Sequence, residues 1–557
     1  MTGTTVVPVA VVGAAPPPRD GGTRAAAPPR ASRGRPLTTR GPVHEAVRAV
    51  ARTAPGTVAV ATDDTSLDYA GLQARAAAVT RELRARGVGP GAPVAVRMAN
   101  GPDRAAALLG TFAAGAYAVC LNPGRAGDRD REALTAAAPL CLLTDPVGAD
   151  DTLPAWYREQ CGGQVLEPAA LTPVPGTGEE PPHPGGPGDP WAYLTHTSGS
   201  TGTPKGIPQT HRTLAQFVGW FAREFRIGPG SRVAQWASPG YDASLVEMFA
   251  ALASGATLCP VPDRIRAHPE KLAAWLVARR ITHFQTVPSF GRALLGAIGT
   301  TGLRPTALGH LLLAGEPLHG ELANGLRTAL PGVRMVNLYG ATETILATWH
   351  EISGPQPQTV PAGLPVPGRR ILVLDEHDRP CPPGTTGSIV VHSPYITPGY
   401  TGGKGQHDDA FRPVDEPFGA GPADGRYYRS GDLGRLRRDG VLEFAGRGDS
   451  RIKFYGVRME LTDIEAALAA DESVTDCAVV AHTGPDALVS RLIAYVVPAP
   501  SREGLPAGTS ALWRAVLRRR FGKSMLPVAF RTLTALPRNV GGKVDRRSLV
   551  ALDQAPG

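Results

Sequence analysis

The sequence predicts an α/β fold, and three features of its texture predict it. Helical runs alternate with short apolar strands from residue 42 to about residue 349, and such alternation gives a sheet flanked by helices. From Gly363 the pattern changes to short β-rich pieces separated by Gly and Pro, which suggests a small barrel or sandwich. Beyond Leu461 the α/β alternation returns. At 557 residues the chain is too long for one ordinary core, and its 42% apolar content suffices for globular packing.

In chain order, residues 1–40 form a Pro/Ala/Gly/Arg tail with six arginines and one aspartate, so +5 of the formal net charge of +9 sits there. That composition cannot bury enough apolar surface to order itself. The remaining +4 is ordinary, and no basic-aromatic stripe appears, so nucleic acid is not expected as a partner. An amphipathic helix is expected over 42–54, a strand over 57–61 and a turn at Asp63-Asp64. Helices over 69–86 and 101–115 alternate with strands over 94–98, 117–121 and 140–144. A Pro/Gly-rich connector, 173–190, leads into a strand over 191–195, and a helix is expected from Thr210. The β-rich pieces are 371–374, 387–392, 426–428 and 441–444; further helices are expected over 461–470 and 511–521. No apolar run reaches eighteen residues, so no membrane helix is expected. The apolar stretch 6–15 lacks a preceding basic residue, against a secretory signal. Six scattered cysteines without a C-x-x-C pair read as thiols of a reducing cytoplasm.

The most informative stretch is TSGSTGTPKG, residues 197–206. Its glycines let backbone N–H groups turn inward around an anion. Thr197, Ser198, Ser200 and Thr201 add hydroxyl donors around Gly199 and Gly202, and Lys205 adds a charge. Strand, glycine-rich loop, helix is the expected setting for phosphate. It is not a P-loop, because Pro204 precedes the lysine and Gly206 follows it. Lysine is rare here, six among 58 basic residues, and Lys205, Lys453 and Lys543 all fall in motif segments. Four more segments accompany the loop. Tyr339-Gly340-Ala341-Thr342-Glu343 offers a carboxylate and a hydroxyl suited to Mg²⁺ and phosphate. Asp432 lies in a tight turn suited to a ribose diol. The stretch 446–460 is dense in charge and glycine, and Lys543 follows two glycines. Each segment alone is compatible with a plain turn.

In this order and spacing the set closely resembles the adenylate-forming superfamily of acyl-CoA synthetases, luciferases and nonribosomal-peptide adenylation domains, over nearly the whole chain after the tail. The resemblance implies an N-terminal core (41–449) of two α/β subdomains plus a small β-barrel, a hinge at Asp449 and a small mobile α+β C-terminal domain (450–557). It implies ATP and Mg²⁺ as cofactors. The loop 197–206 would hold the β,γ-phosphates, and Tyr339 and Phe444 would flank adenine. Thr342 would meet the α-phosphate, Glu343 the magnesium, and Asp432 with Arg447 the ribose. Lys543 would bridge the substrate carboxylate and the α-phosphate. Asp242, in Y-D-A-S-L-V-E-M-F, resembles the aspartate that amino-acid-activating members set against a substrate ammonium. The matching pocket positions are Ala243, Val246, Gln285, Leu312, Ala314, Leu338, Leu346 and Ala347. They are apolar apart from one amide, so a neutral α-amino acid is expected, with Gln285 positioned for a polar atom.

The chain departs from the family pattern at Ala341, His196, Arg451 and Gly541, which leaves the second half-reaction less specified than the first. Few residues follow Lys543, and no G-G-x-S carrier site occurs. The expectation is a free-standing enzyme that loads the phosphopantetheine of a separate carrier protein. Two rivals remain open: a ligase passing the acyl group to CoA or an amine, and a non-catalytic ATP-binding interaction module.

Overall fold

The computed structural model describes residues 41–123, 128–146, 151–174, 189–197, 205–356, 359–401, 408–414, 425–447, 451–454, 457–483, 489–499, 509–521, 528–537, 544 and 546–554. Helix and strand alternate as expected, and predicted boundaries over 42–144 fall within one or two residues of those observed. The strands assemble into two large sheets. One has six strands in the order Gln164–Leu166, Cys141–Thr144, Pro93–Arg97, Tyr117–Cys120, Trp191–Thr197, Lys205–Thr210. The other has nine strands, with a parallel centre running Val58–Ala61, Thr257–Pro260, Arg232–Gln235, His283–Thr286, His310–Ala314, Arg334–Tyr339 and antiparallel strands at both ends.

Central parallel strands are covered on both faces, and alternation divides their side chains between two cores. Val233, Leu312, Ala314, Val336 and Leu338 pack with Val246 and Phe249 of the helix Asp242–Leu252 on one face. Ala234, Phe284, Leu311, Leu313 and Met335 pack on the other. That helix is apolar nearly all round and buried from Ser244 to Leu252, as a helix lodged in a core must be.

One expectation needs correcting. The glycine-rich loop does not run from strand to helix. Lys205–Thr210 is a strand that pairs back onto Trp191–Thr197, with Thr197 opposite Lys205, and the helix His211–Glu224 starts only after it. Pro208 is tolerated because this is an edge strand. Thr210 caps the helix, its Oγ1 accepting from Thr213 N at 3.1 Å.

The β-rich region is a four-stranded antiparallel meander, Arg370–Leu374, Gly387–Ser393, Arg426–Leu436, Leu442–Arg447. In the C-terminal part, Leu461–Ala469 and Thr509–Phe521 pack Leu468, Trp513 and Leu517 against a three-stranded sheet. Buried Asp463 accepts from Arg129 at 3.1 Å, and the Arg129 guanidinium lies 4.3 Å from the Phe521 ring centroid. These contacts tie the C-terminal part to the helix Asp128–Ala137. Among the described residues no helix is long and apolar enough to cross a membrane.

Candidate active site

The parallel strands carry Gln285, Leu312, Ala314, Leu338 and Tyr339 of the expected residues. Register places Gln285 beside Leu312, Leu312 beside Val336, and Ala314 beside Leu338. Val246, Leu312, Ala314, Leu338 and Leu346 fall in one buried cluster. Ala243 and Asp242 lie half-buried at the start of the helix that covers this face. The Asp242 carboxylate accepts from Ala243 N at 2.9 Å, at a helix N-terminus where negative charge is favoured. Beside it, the Tyr193 hydroxyl is buried without a hydrogen-bond partner among the described residues; burial first and the Asp242 charge second push its ionisation well up. Ala347 belongs elsewhere: it packs with Ile371, Val391, Tyr428 and Leu442, on the side of Tyr339 and Phe444.

The strand Arg334–Tyr339 ends at Gly340, where a Cβ would sit 2.6 Å from the backbone of Leu346 and Ala347, so only glycine fits. A single turn, Thr342–Thr344, follows. Ile345 then takes φ 59°, ψ −62°, with Leu346 N bonded to Thr344 O at 2.8 Å. This is the rarer, positive-φ γ-turn, and on a β-branched residue it stores about 1–3 kcal/mol of strain. Distant side chains hold it. Gln209 Nε2 donates to Thr342 O at 2.8 Å and Glu343 O at 3.1 Å. Thr397 N donates to Glu343 O at 2.8 Å, while its hydroxyl donates to Pro208 O at 2.7 Å. Arg369, whose pKa burial lowers to about 9, donates to Thr344 O at 3.1 Å. Glu343 is 1% exposed and accepts from Tyr400 Oη at 2.7 Å; Lys205 Nζ lies 5.7 Å from the Tyr400 ring centroid. A buried carboxylate beside a half-buried threonine hydroxyl is a hard-oxygen set of the kind Mg²⁺ takes together with phosphate oxygens and water. The residues fit such an ion.

The nucleotide-side residues also converge. Tyr339 Oη donates to Asp432 Oδ2 at 2.6 Å, and Arg447 pairs with Asp432 Oδ1. Asp432 N donates to Ser430 Oγ at 3.1 Å. Tyr339 and Phe444 meet directly, with centroids 5.9 Å apart and planes tilted by 46°. A flat ring between them would need about 7 Å, two carbon contacts of roughly 3.5 Å, more than the present separation allows.

Ser198, Gly199, Ser200, Thr201, Gly202, Asp449 and Lys543 lie outside the described residues, and for Thr197 only the backbone is described. Four contributors escaped sequence reasoning: Gln209, Thr397, Arg369 and Tyr400 act on the turn across the fold, and no local pattern marks them. Arg104 is a fifth. Only 1% exposed, it donates to Pro239 O at 2.6 Å and Ser244 Oγ at 3.2 Å, fixing the entry to the Asp242 helix. A separate open cavity of about 700 Å³ at the opposite strand ends is lined by Trp220, His310, Arg334 and Glu351, away from this chemistry.

The AMP-binding enzyme family matches residues 47–401, and the AMP-binding enzyme C-terminal domain matches 463–543. Phosphinothricin tripeptide synthetase PhsB of Streptomyces viridochromogenes is 35% identical over 512 residues, 90% of this chain and 41% of that protein, so the chain spans less than half of it. The crystal structure of IdnL1 superposes with a TM-score of 0.72 at 26% identity, covering 89% of this chain and 97% of that one. Amide bond synthetase McbA from Marinactinospora thermotolerans has a TM-score of 0.80 over 92% of this chain and 99% of its own, at 22% identity; that likeness is one of fold.

Proposed function

Because the chain belongs to the AMP-binding enzyme family of AMP-forming ligases, we propose that it activates a neutral, mainly apolar α-amino acid as aminoacyl-AMP, with release of pyrophosphate. The aminoacyl group then passes to the phosphopantetheine thiol of a separate carrier protein in natural-product biosynthesis, in the cytoplasm. One observation carries the amino-acid reading. Asp242 stands at the mouth of an otherwise apolar cluster, on the same helix as Val246. An opposite charge at that place suits the ammonium of an α-amino acid, which an aryl or fatty acid lacks. The similarity to a tripeptide synthetase supports the pathway and the carrier partner.

In this reading the substrate carboxylate attacks the α-phosphorus of ATP, and the P–O bond to the β-phosphate breaks. Two anions must be brought together, so catalysis rests on positioning and charge neutralisation. Lys543 holds the substrate carboxylate against the α-phosphate, and Thr342 donates to it. Thr197, Ser198, Gly199, Ser200, Thr201, Gly202 and Lys205 hold the departing pyrophosphate. Asp432 and Arg447 hold the ribose, and Tyr339 with Phe444 the adenine. Glu343 would hold Mg²⁺, which would neutralise phosphate charge. The core 41–449 and the small domain 450–557 turn about Asp449 between the two half-reactions.

The test is ATP–pyrophosphate exchange across amino acids and across aryl and fatty acids. Exchange driven by neutral α-amino acids supports the reading. Exchange only with an aryl or fatty acid overturns it, and none with any acid favours a non-catalytic module.

A further inference from the structure

The segment that leads into the Asp242 helix is braced from the other large sheet. Residues 236–241 join the strand Arg232–Gln235 of the nine-stranded sheet to the helix Asp242–Leu252. Asn100 Nδ2 donates to Ala237 O at 2.8 Å, and Gly240 N donates to Asn122 Oδ1 at 2.7 Å. Between them, Arg104 Nη2 donates to Pro239 O at 2.6 Å. Asn100 and Asn122 follow the strands Pro93–Arg97 and Tyr117–Cys120 of the six-stranded sheet. Arg104 lies in the first turn of the helix Pro102–Ala113, which joins those strands.

Arg104 differs from the two asparagines in carrying a charge. Only 1% exposed, it has neutral hydrogen-bond partners: Asn100 Oδ1 at 3.3 Å, Pro239 O, and Ser244 Oγ at 3.2 Å. Burial lowers its pKa to about 10, which leaves it charged at neutral pH. Burial also raises the carboxyl of Glu247, one of the charges around it, to about 8. Taking a cation out of water is costly, and an apolar side chain of like volume is often as stable or more so. Stability alone therefore gives no reason for an arginine here. Its contacts give one. Pro239 lies three residues before Asp242 and Ser244 two residues after it, and one nitrogen of a rigid, planar fork holds both. Ser244 Oγ also donates to Tyr241 O at 2.9 Å, closing the turn that carries Asp242.

We propose that Arg104 is a positioning residue for the amino-acid site: by clamping Pro239 and Ser244 on either side of Asp242, it sets the aim of that carboxylate at the substrate ammonium. Being buried, it acts through Asp242 and does not meet the substrate. This rests on the amino-acid reading above.

The experiment is ATP–pyrophosphate exchange by the full chain, comparing the preferred α-amino acid with its des-amino analogue. Arg104→Met keeps most of the volume and removes charge and fork; Arg104→Lys keeps the charge and loses the fork. In Arg104→Met the amino-acid KM is expected to rise about 10–100-fold, the effect of losing one hydrogen bond to a charged group. The ATP KM stays as it was. Preference for the amino acid over the analogue falls by the same factor, because the analogue has no ammonium to be met. Arg104→Lys gives a smaller rise. In an Asp242→Asn background Arg104→Met leaves the ratio of the two acids unchanged, since the charge it positions is gone. ATP-induced thermal stabilisation of each variant verifies folding. Ser244→Ala, which removes one arm of the clamp, takes the place of Arg104→Met if that variant does not fold. A lowered melting temperature with the ratio intact, or equal losses with both acids, overturns the proposal. A wild-type chain that does not distinguish the two acids removes the amino-acid reading, and this proposal with it.

Discussion

The proposed substrate wall and the Thr342–Thr344 turn stand side by side at the same strand ends, yet they are held in place differently. Gln285, Leu312, Ala314 and Leu338 are placed by strand register, each row fixed by backbone pairing and by the helix packed over it. The turn is off the sheet ladder. Its carbonyls are tied by Gln209 from 133 and 134 positions away, and by Thr397, which bridges Pro208 and Glu343. The wall can change its side chains and keep its frame, as a specificity surface requires. The turn keeps a strained residue, Ile345, and needs every tether, as suits groups that must meet charge in one geometry.

Substitutions separate the two. Glu343→Gln leaves the turn in place and removes its charge, so exchange is expected to fall by about 10²–10³ with every amino acid tested; a loss confined to some amino acids would place Glu343 in the wall. Ala314→Leu overpacks the wall at about 1–3 kcal/mol. The amino-acid KM should then rise about 10–100-fold while the ATP KM stays as it was. Gln209→Leu removes two hydrogen bonds worth about 1 kcal/mol each. Steady-state kinetics should show kcat down about tenfold and a raised Mg²⁺ requirement, with the amino-acid preference unchanged; a merely structural role would move melting temperature alone. The smallest effect is on pH. Burial raises the Glu247 carboxyl to about 8, although Ala237 N donates to it at 3.1 Å. The folded state then holds a proton that the unfolded state releases above its ordinary value, so this group's stabilisation is lost as pH rises towards 8. Glu247→Gln should flatten the fall in melting temperature between about pH 5 and 8, measured by calorimetry.

The same contrast explains what could be read from the sequence. Helix–strand alternation marked the α/β texture of the stretch that carries the wall, and family resemblance marked its pocket positions. Residues 205–210 hid their strand, because Gly206 and Pro208 are poor strand formers and only edge pairing with Trp191–Thr197 rescues them. Gln209, Arg369 and Thr397 were invisible because their partners are remote in sequence. Gln285 stood out in the sequence as the one amide among the pocket positions.

The central claim, a carboxylate set to meet a substrate ammonium, is tested most directly by Asp242→Asn in ATP–pyrophosphate exchange, comparing the preferred amino acid with its des-amino analogue. The wild-type chain should favour the amino acid by about 10²-fold or more, as loss of a buried charge partner costs about 3–5 kcal/mol, and Asp242→Asn should erase that preference. Equal use of both acids by the wild-type chain, or an unchanged preference in the variant, would contradict the account.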